Sequence, residues 1–228
     1  MVLQQGFFST PATCFDGTQN GGEAGVDCGD PCALICESSA LAPTVLWARA
    51  LPSGGRNYTA VAYIQNKNFG ASAENVHYTF KLYDPEGLLV IQKDGLTSLP
   101  PTNDGKVPII ENNLNVGNRT VSRTIFEFTA PVSWYKVKAG SVPLLQSTPG
   151  ILEEDNMRLT TTVSNNSLFD ADDVTVVALL VDASGEVKAA SESVITTIPR
   201  RSSQQVIFTW PIPHPEVVRA QITILPSL

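Results

Sequence analysis

All four cysteines of this chain, Cys14, Cys28, Cys32 and Cys36, fall in one short stretch, and the sequence from Glu37 onward has none. The same stretch holds Asp16, Asn20, Glu23, Asp27 and Asp30, with glycines at 17, 21, 22, 25 and 29, and very few apolar side chains. Apolar burial cannot offset the entropy of ordering such a segment, so cross-links must do so. An even, clustered set of cysteines in a small polar module predicts two disulfides and an oxidising compartment. The alternative is a four-sulfur metal site in a reducing one. Zinc and iron–sulfur sites usually set cysteines two apart, whereas here 13, 3 and 3 residues intervene. Four cysteines allow three pairings, and their spacing does not choose among them.

The module also offers hard oxygen ligands. Asp16, Asn20, Glu23 and Asp27 recur at intervals of 4, 3 and 4, and the glycines let the chain curl at positive φ. Calcium takes six to eight such oxygens in a flexible cage. These four residues are therefore the candidate ligands of a structural Ca2+, in a spacing unlike that of a helix-loop-helix calcium loop. The competing reading is a solvated acidic loop stapled by two disulfides. Either way the module confers rigidity rather than catalysis.

From Thr44 onward the period is two. Strands are predicted at 58–64, 76–83, 88–91, 121–128 and 132–137, then at 157–163, 174–181, 186–190, 194–198, 205–210 and 217–225. The two sets are copies. Asp84 and Asp182 are 98 residues apart, as are Gly87 and Gly185, and each closes a long strand with a turn. The predicted fold is all-β: two tandem immunoglobulin-like β-sandwiches preceded by a small Cys-rich module. The divisions are a flexible arm at 1–13, the module at 14–42, the first sandwich at 43–139 and the second at 140–228. A short linker between 138 and 156 predicts a rod of sandwiches. Met1 to Pro11, with Phe7 and Phe8, is a candidate donor strand for the edge of another sandwich.

Composition narrows the function. Fifteen Lys and Arg against 22 Asp and Glu leave a net charge of −7 and a pI near 4.8, without a basic run to follow a phosphate backbone. Nucleic acid is not an expected partner. No stretch of 18 apolar residues occurs, so a membrane is reached only through a part outside this chain, such as an upstream signal or anchor. Of the two histidines, His77 sits on a predicted strand face and His214 in a proline-rigid turn. Neither lies near a nucleophile elbow, and the prediction is no enzyme. Trp47, Trp134 and Trp210 are read as packing residues. The five tyrosines, Tyr58, Tyr63, Tyr78, Tyr83 and Tyr135, are the alternative platform for a glycan. Glu153, Glu154 and Asp155 with Asp170, Asp172 and Asp173 form an acidic end, read as a solvated face. Asn57, Asn118 and Asn165 open sequons.

The stretch Cys14-x-Asp16-Gly17-x-x-Asn20-x-x-Glu23-x-Gly25-x-Asp27-Cys28-Gly29-x-x-Cys32 resembles a short Cys-rich motif of bacterial surface and secreted proteins. It differs at Asp30, where the motif usually has glycine. The turn segments Phe80 to Asp84 and Leu179 to Asp182 resemble those of FxLYD and adhesion-type immunoglobulin-like domains of bacterial envelopes, with Val181 in place of the tyrosine in the second copy. These resemblances imply an extracellular, cell-surface protein. Its expected role is structural or adhesive, through contacts with its own kind, with other envelope proteins or with a glycan. The alternatives are a subunit of a surface filament or sheath built by strand addition, and a carbohydrate- or ligand-binding accessory domain.

Overall fold

A computed structural model describes residues 13–153 and 157–227. The arm before Thr13 and the acidic residues Glu154 and Asp155 lie outside these described residues. Seven strands make the first half: β1 (Thr44–Pro52), β2 (Asn57–Gln65), β3 (Ala71–Tyr83), β4 (Leu89–Leu99), β5 (Lys106–Asn115), β6 (Arg123–Phe128) and β7 (Tyr135–Lys136). Seven more make the second: β8 (Leu145–Ser147), β9 (Ile151–Leu152), β10 (Arg158–Asn165), β11 (Ala171–Asp182), β12 (Val187–Ile198), β13 (Ser202–Thr209) and β14 (Val217–Leu225). They pair antiparallel into four sheets. The orders are β1-β2-β5, β4-β3-β6 with β7 also on β3, β12-β11-β14, and β13-β10-β8 with β9 also on β10.

Each half is a sandwich because alternate residues of its strands turn apolar side chains into a common layer. In the first, Ala60, Ala62 and Ile64 of β2 and Val107 of β5 face Phe80 and Leu82 of β3 and Phe126 of β6. Phe80 meets Phe126 edge to face at 4.9 Å. In the second, Leu159 and Val163 of β10 and Phe208 of β13 face Val174, Val176, Ala178 and Leu180 of β11.

A third apolar layer joins the two. Leu51, Val61, Tyr63 and Ile110, on the far face of sheet β1-β2-β5, pack against Val177, Leu179, Val181, Val187 and Ala190 of sheet β12-β11-β14. Val61 is 0% exposed and Leu179 is 1%. The sheets therefore stack in the order β4-β3-β6, β1-β2-β5, β12-β11-β14, β13-β10-β8, and the rod expected from the sequence is not found. The reason lies in β2 and β11. Ala60-Val61-Ala62-Tyr63-Ile64 and Val176-Val177-Ala178-Leu179-Leu180-Val181 are apolar on both faces, which suits strands covered on both sides. Polar contacts rim the seam. Gln221 Nε2 donates to Tyr63 Oη at 2.6 Å, Arg49 pairs with Glu186 at 2.8 Å, and Trp47 stacks on Tyr63.

The copies have diverged where they meet. Aligning Asp84 with Asp182 sets Thr79, Lys81 and Tyr83 against Val177, Leu179 and Val181. Aligning Asn66 with Asn165 sets Val61 and Tyr63 against Thr160 and Thr162. In each case the apolar set faces the seam and the polar set faces outward, where Lys81 pairs with Glu127 at 2.6 Å. Polar turn positions, in contrast, are kept. Asn66 Nδ2 donates to the Ala71 carbonyl, and Asn165 Nδ2 donates to those of Phe169 and Ile198. Asp84 and Asp182 each accept backbone N–H groups of their own turns.

Candidate functional site

The Cys-rich module is the part of the chain whose shape is not explained by a core. Cys14 is bonded to Cys32 and Cys28 to Cys36, with Cα separations of 5.6 and 5.0 Å. Gly25 lies against the second bridge: a Cβ there would sit 2.8 Å from Cys28 Sγ and 3.1 Å from Cys36 Sγ. Gly29 closes a turn at φ +79° on top of Ala24, which leaves no room for a side chain. The module is also attached to the first sandwich. Ile35 N donates to the Trp134 carbonyl and Lys136 N to the Ala33 carbonyl, both at 2.8 Å, so Ala33–Ile35 runs beside β7. Lys136 and Asp30 form an ion pair across this junction.

Its carboxylates act as acceptors for backbone N–H groups. Asp27 accepts from the N–H of Asp16 and of Gly17 at 3.0 and 2.9 Å. Asp16 accepts from Thr18 N, Thr13 N and Asn20 Nδ2. The Asn20 amide, followed by the Thr13 N–H, holds the Asp16 carboxyl below its ordinary value. Glu23 is buried, and its Oε2 accepts from Asn20 N and Asp27 N. Its Oε1 lies 3.0 Å from Cys32 Sγ, which as a half-cystine carries no proton to donate. Asn20 Oδ1 is buried without a partner.

Asp16, Asn20, Glu23 and Asp27 are thus linked in one network but do not surround one point. Among the described residues, the one group of three or more acidic, thiol or imidazole side chains whose ligand atoms lie within 4.8 Å of one another is Cys14, Glu23 and Cys32. That Cys/Glu cluster has the geometry to coordinate a metal ion, but its two sulfurs are joined to each other and nothing in it selects calcium. Asp16 and Asp27 accept backbone N–H groups of the close-packed turns, and their oxygens do not gather with those of Glu23 within 4.8 Å of one another.

The remaining candidates are dispersed. His77 is exposed on the outer face of β3. His214 is buried, with Nδ1 3.7 Å from Glu216 Oε1. Trp134 and Trp210 are core residues and Trp47 lies in the seam, while Tyr63 and Tyr78 are buried. Tyr135 alone of the tyrosines is exposed, with Tyr58 and Tyr83 partly so. Asp170 and Asp172 accept from Arg200 N and Thr197 Oγ1. One arrangement had no signal in the sequence. Glu111 of the first sandwich and Glu192 of the second approach across the seam. Tyr78 Oη donates to Glu111 at 2.8 Å and Asn112 Nδ2 to Glu192 at 3.4 Å. Burial, then the Glu111 charge, raises the Glu192 carboxyl.

No protein-family model matches this chain, and no curated protein matches it. Among solved structures it is similar to the crystal structure of red sea bream transglutaminase, with 10% identity over 81% of this chain and a TM-score of 0.23. The chain spans 29% of that protein's length. A likeness this slight carries no argument about fold or activity.

Proposed function

We propose that this chain is a non-enzymatic structural or adhesive module of an extracellular surface protein, made of a disulfide-stapled head and two immunoglobulin-like sandwiches. The observation that carries the reading is the pair of disulfides, which order a segment with almost no apolar cover, while backbone bonds between Ala33–Ile35 and Trp134–Lys136 seat it on the first sandwich. The resemblance of the module to bacterial surface motifs supports the same location. A rigid stack of four sheets with polar outer faces suits a spacer that holds other parts at a fixed distance. The test is the thiol state and accessibility of the protein in its native cells. Intact cells should yield the chain to a membrane-impermeant label, with no thiol free. Four free thiols in a chain shielded from that label would contradict the reading.

A further inference from the structure

Glu23 is held against one of the two bridges. Its Oε2 accepts the N–H groups of Asn20 and Asp27, one on either side of it in the chain, so the carboxylate is fixed from two directions. Its Oε1 then lies 3.0 Å from Cys32 Sγ. Both residues are buried, Glu23 at 8% exposed and Cys32 at 2%. Because Cys32 is bonded to Cys14, no S–H faces Oε1. A carboxyl that accepts two backbone N–H groups on one oxygen is bonded as an anion. Cys14 Sγ, Cys32 Sγ and a Glu23 carboxylate oxygen all lie within 4.8 Å of one another. The negative charge is thus placed beside the sulfur–sulfur bond itself.

The other bridge supplies the comparison. Each bridge joins one partly exposed cysteine, Cys14 or Cys28, to one buried cysteine, Cys32 or Cys36. Among the described residues, no carboxylate oxygen lies within 4.8 Å of both sulfurs of Cys28–Cys36. Gly25 packs against that bridge instead. The two bridges are therefore alike in exposure and differ in the charge beside them.

We propose that Glu23 guards the Cys14–Cys32 bridge against reduction, its charge making Cys32 a poor leaving group. A disulfide opens when a thiolate attacks one sulfur and the other leaves as a thiolate. Attack from the partly exposed side, at Cys14 Sγ, breaks the S–S bond and sends its electron pair to Cys32 Sγ. That charge forms 3.0 Å from Glu23 Oε1 in a buried site, where like charges repel strongly. Attack at Cys32 Sγ must instead enter the buried site past the same carboxylate. With a dithiol as reductant, its second thiol displaces Cys14 from the mixed disulfide. The two protein thiolates then take up the protons that the dithiol gave up, and the dithiol leaves as a cyclic disulfide. The guard acts on the first of these steps. The inference rests on the surroundings of the bridge and not on where the protein resides.

The test treats the full, oxidised chain with excess dithiothreitol at neutral pH. Freed thiols are alkylated at early times, before the opening of one bridge alters the other, and are assigned by peptide fragmentation. In the wild type, Cys28 and Cys36 should be alkylated about tenfold faster than Cys14 and Cys32. Glu23→Gln keeps an oxygen for the two N–H groups and removes the charge. It should speed the opening of Cys14–Cys32 by about tenfold or more while Cys28–Cys36 keeps its rate. A module merely loosened by the substitution would open both bridges faster, and that result would overturn the proposal. So would two wild-type bridges that open at one rate, a comparison that needs no variant.

Discussion

Asn165 is fully buried and joins three backbone groups: it accepts from Ser167 N and donates to the carbonyls of Phe169 and Ile198, all at 2.9 Å. Asn165→Ala strands all three out of water, and the expected cost is about 3 kcal/mol, read as a lower urea midpoint with an unchanged slope. The same burial forbids a glycan on Asn165 in the folded chain, whereas Asn118 is exposed. Sequence reading finds a turn at Asn165 from residue type, but not that its amide is a structural hub. That fact depends on Ile198, which lies 33 residues away. The acid residues of the module were legible as a group, and two of them, Asp16 and Asp27, accept turn N–H groups. Carboxylates next to glycine-rich turns can neutralise a cation or cap N–H groups, and spacing alone does not separate the two.

At the level of elements, the module divides into parts the sequence makes plain and parts it hides. That four cysteines in a polar stretch pair with one another follows from composition. Which pair with which depends on turns at Gly25 and Gly29 that only the folded chain reveals. The docking of Ala33–Ile35 beside β7 was also hidden, because three residues carry no period. In this account the disulfides, not an ion, set the module's shape. The Cys14–Cys32 bridge encloses a sequence separation of 18, for which loop-closure entropy gives about 3 kcal/mol. Reduction should therefore release amides 14–36 to rapid hydrogen exchange while β2 and β11 stay protected. A calcium chelator should leave both sets unchanged. Loss of protection on chelation with the disulfides intact would restore the calcium cage.

For the whole molecule, the seam between the sandwiches decides the shape. The runs in β2 and β11 held the signal: an alternating strand has one apolar face, and these have two. The short linker between 138 and 156 is what suggests a rod, and the second apolar faces of β2 and β11 are what exclude it. Leu179→Asp places a charge in the seam and should cost about 4 kcal/mol, destabilising both sandwiches in one transition rather than the second alone. The rim of the seam carries a pH dependence. Burial and Glu111 raise the Glu192 carboxyl above 4.5, so the folded chain binds that proton more tightly than the unfolded one. Stability from this group is retained at low pH and lost as pH climbs from the ordinary glutamate value through the raised one. Glu192→Gln should therefore raise Tm at neutral pH and match the wild type near pH 4.

The stacking of the two sandwiches is tested most directly by small-angle X-ray scattering of the arm-truncated chain beginning at Thr13. Sheets packed face to face across Val61 and Leu179 predict a radius of gyration near 17 Å, the value for a compact chain of this length. Two sandwiches joined end to end would give about 24 Å, from two bodies of about 13 Å each with centres about 40 Å apart. A value at the larger figure would contradict the seam.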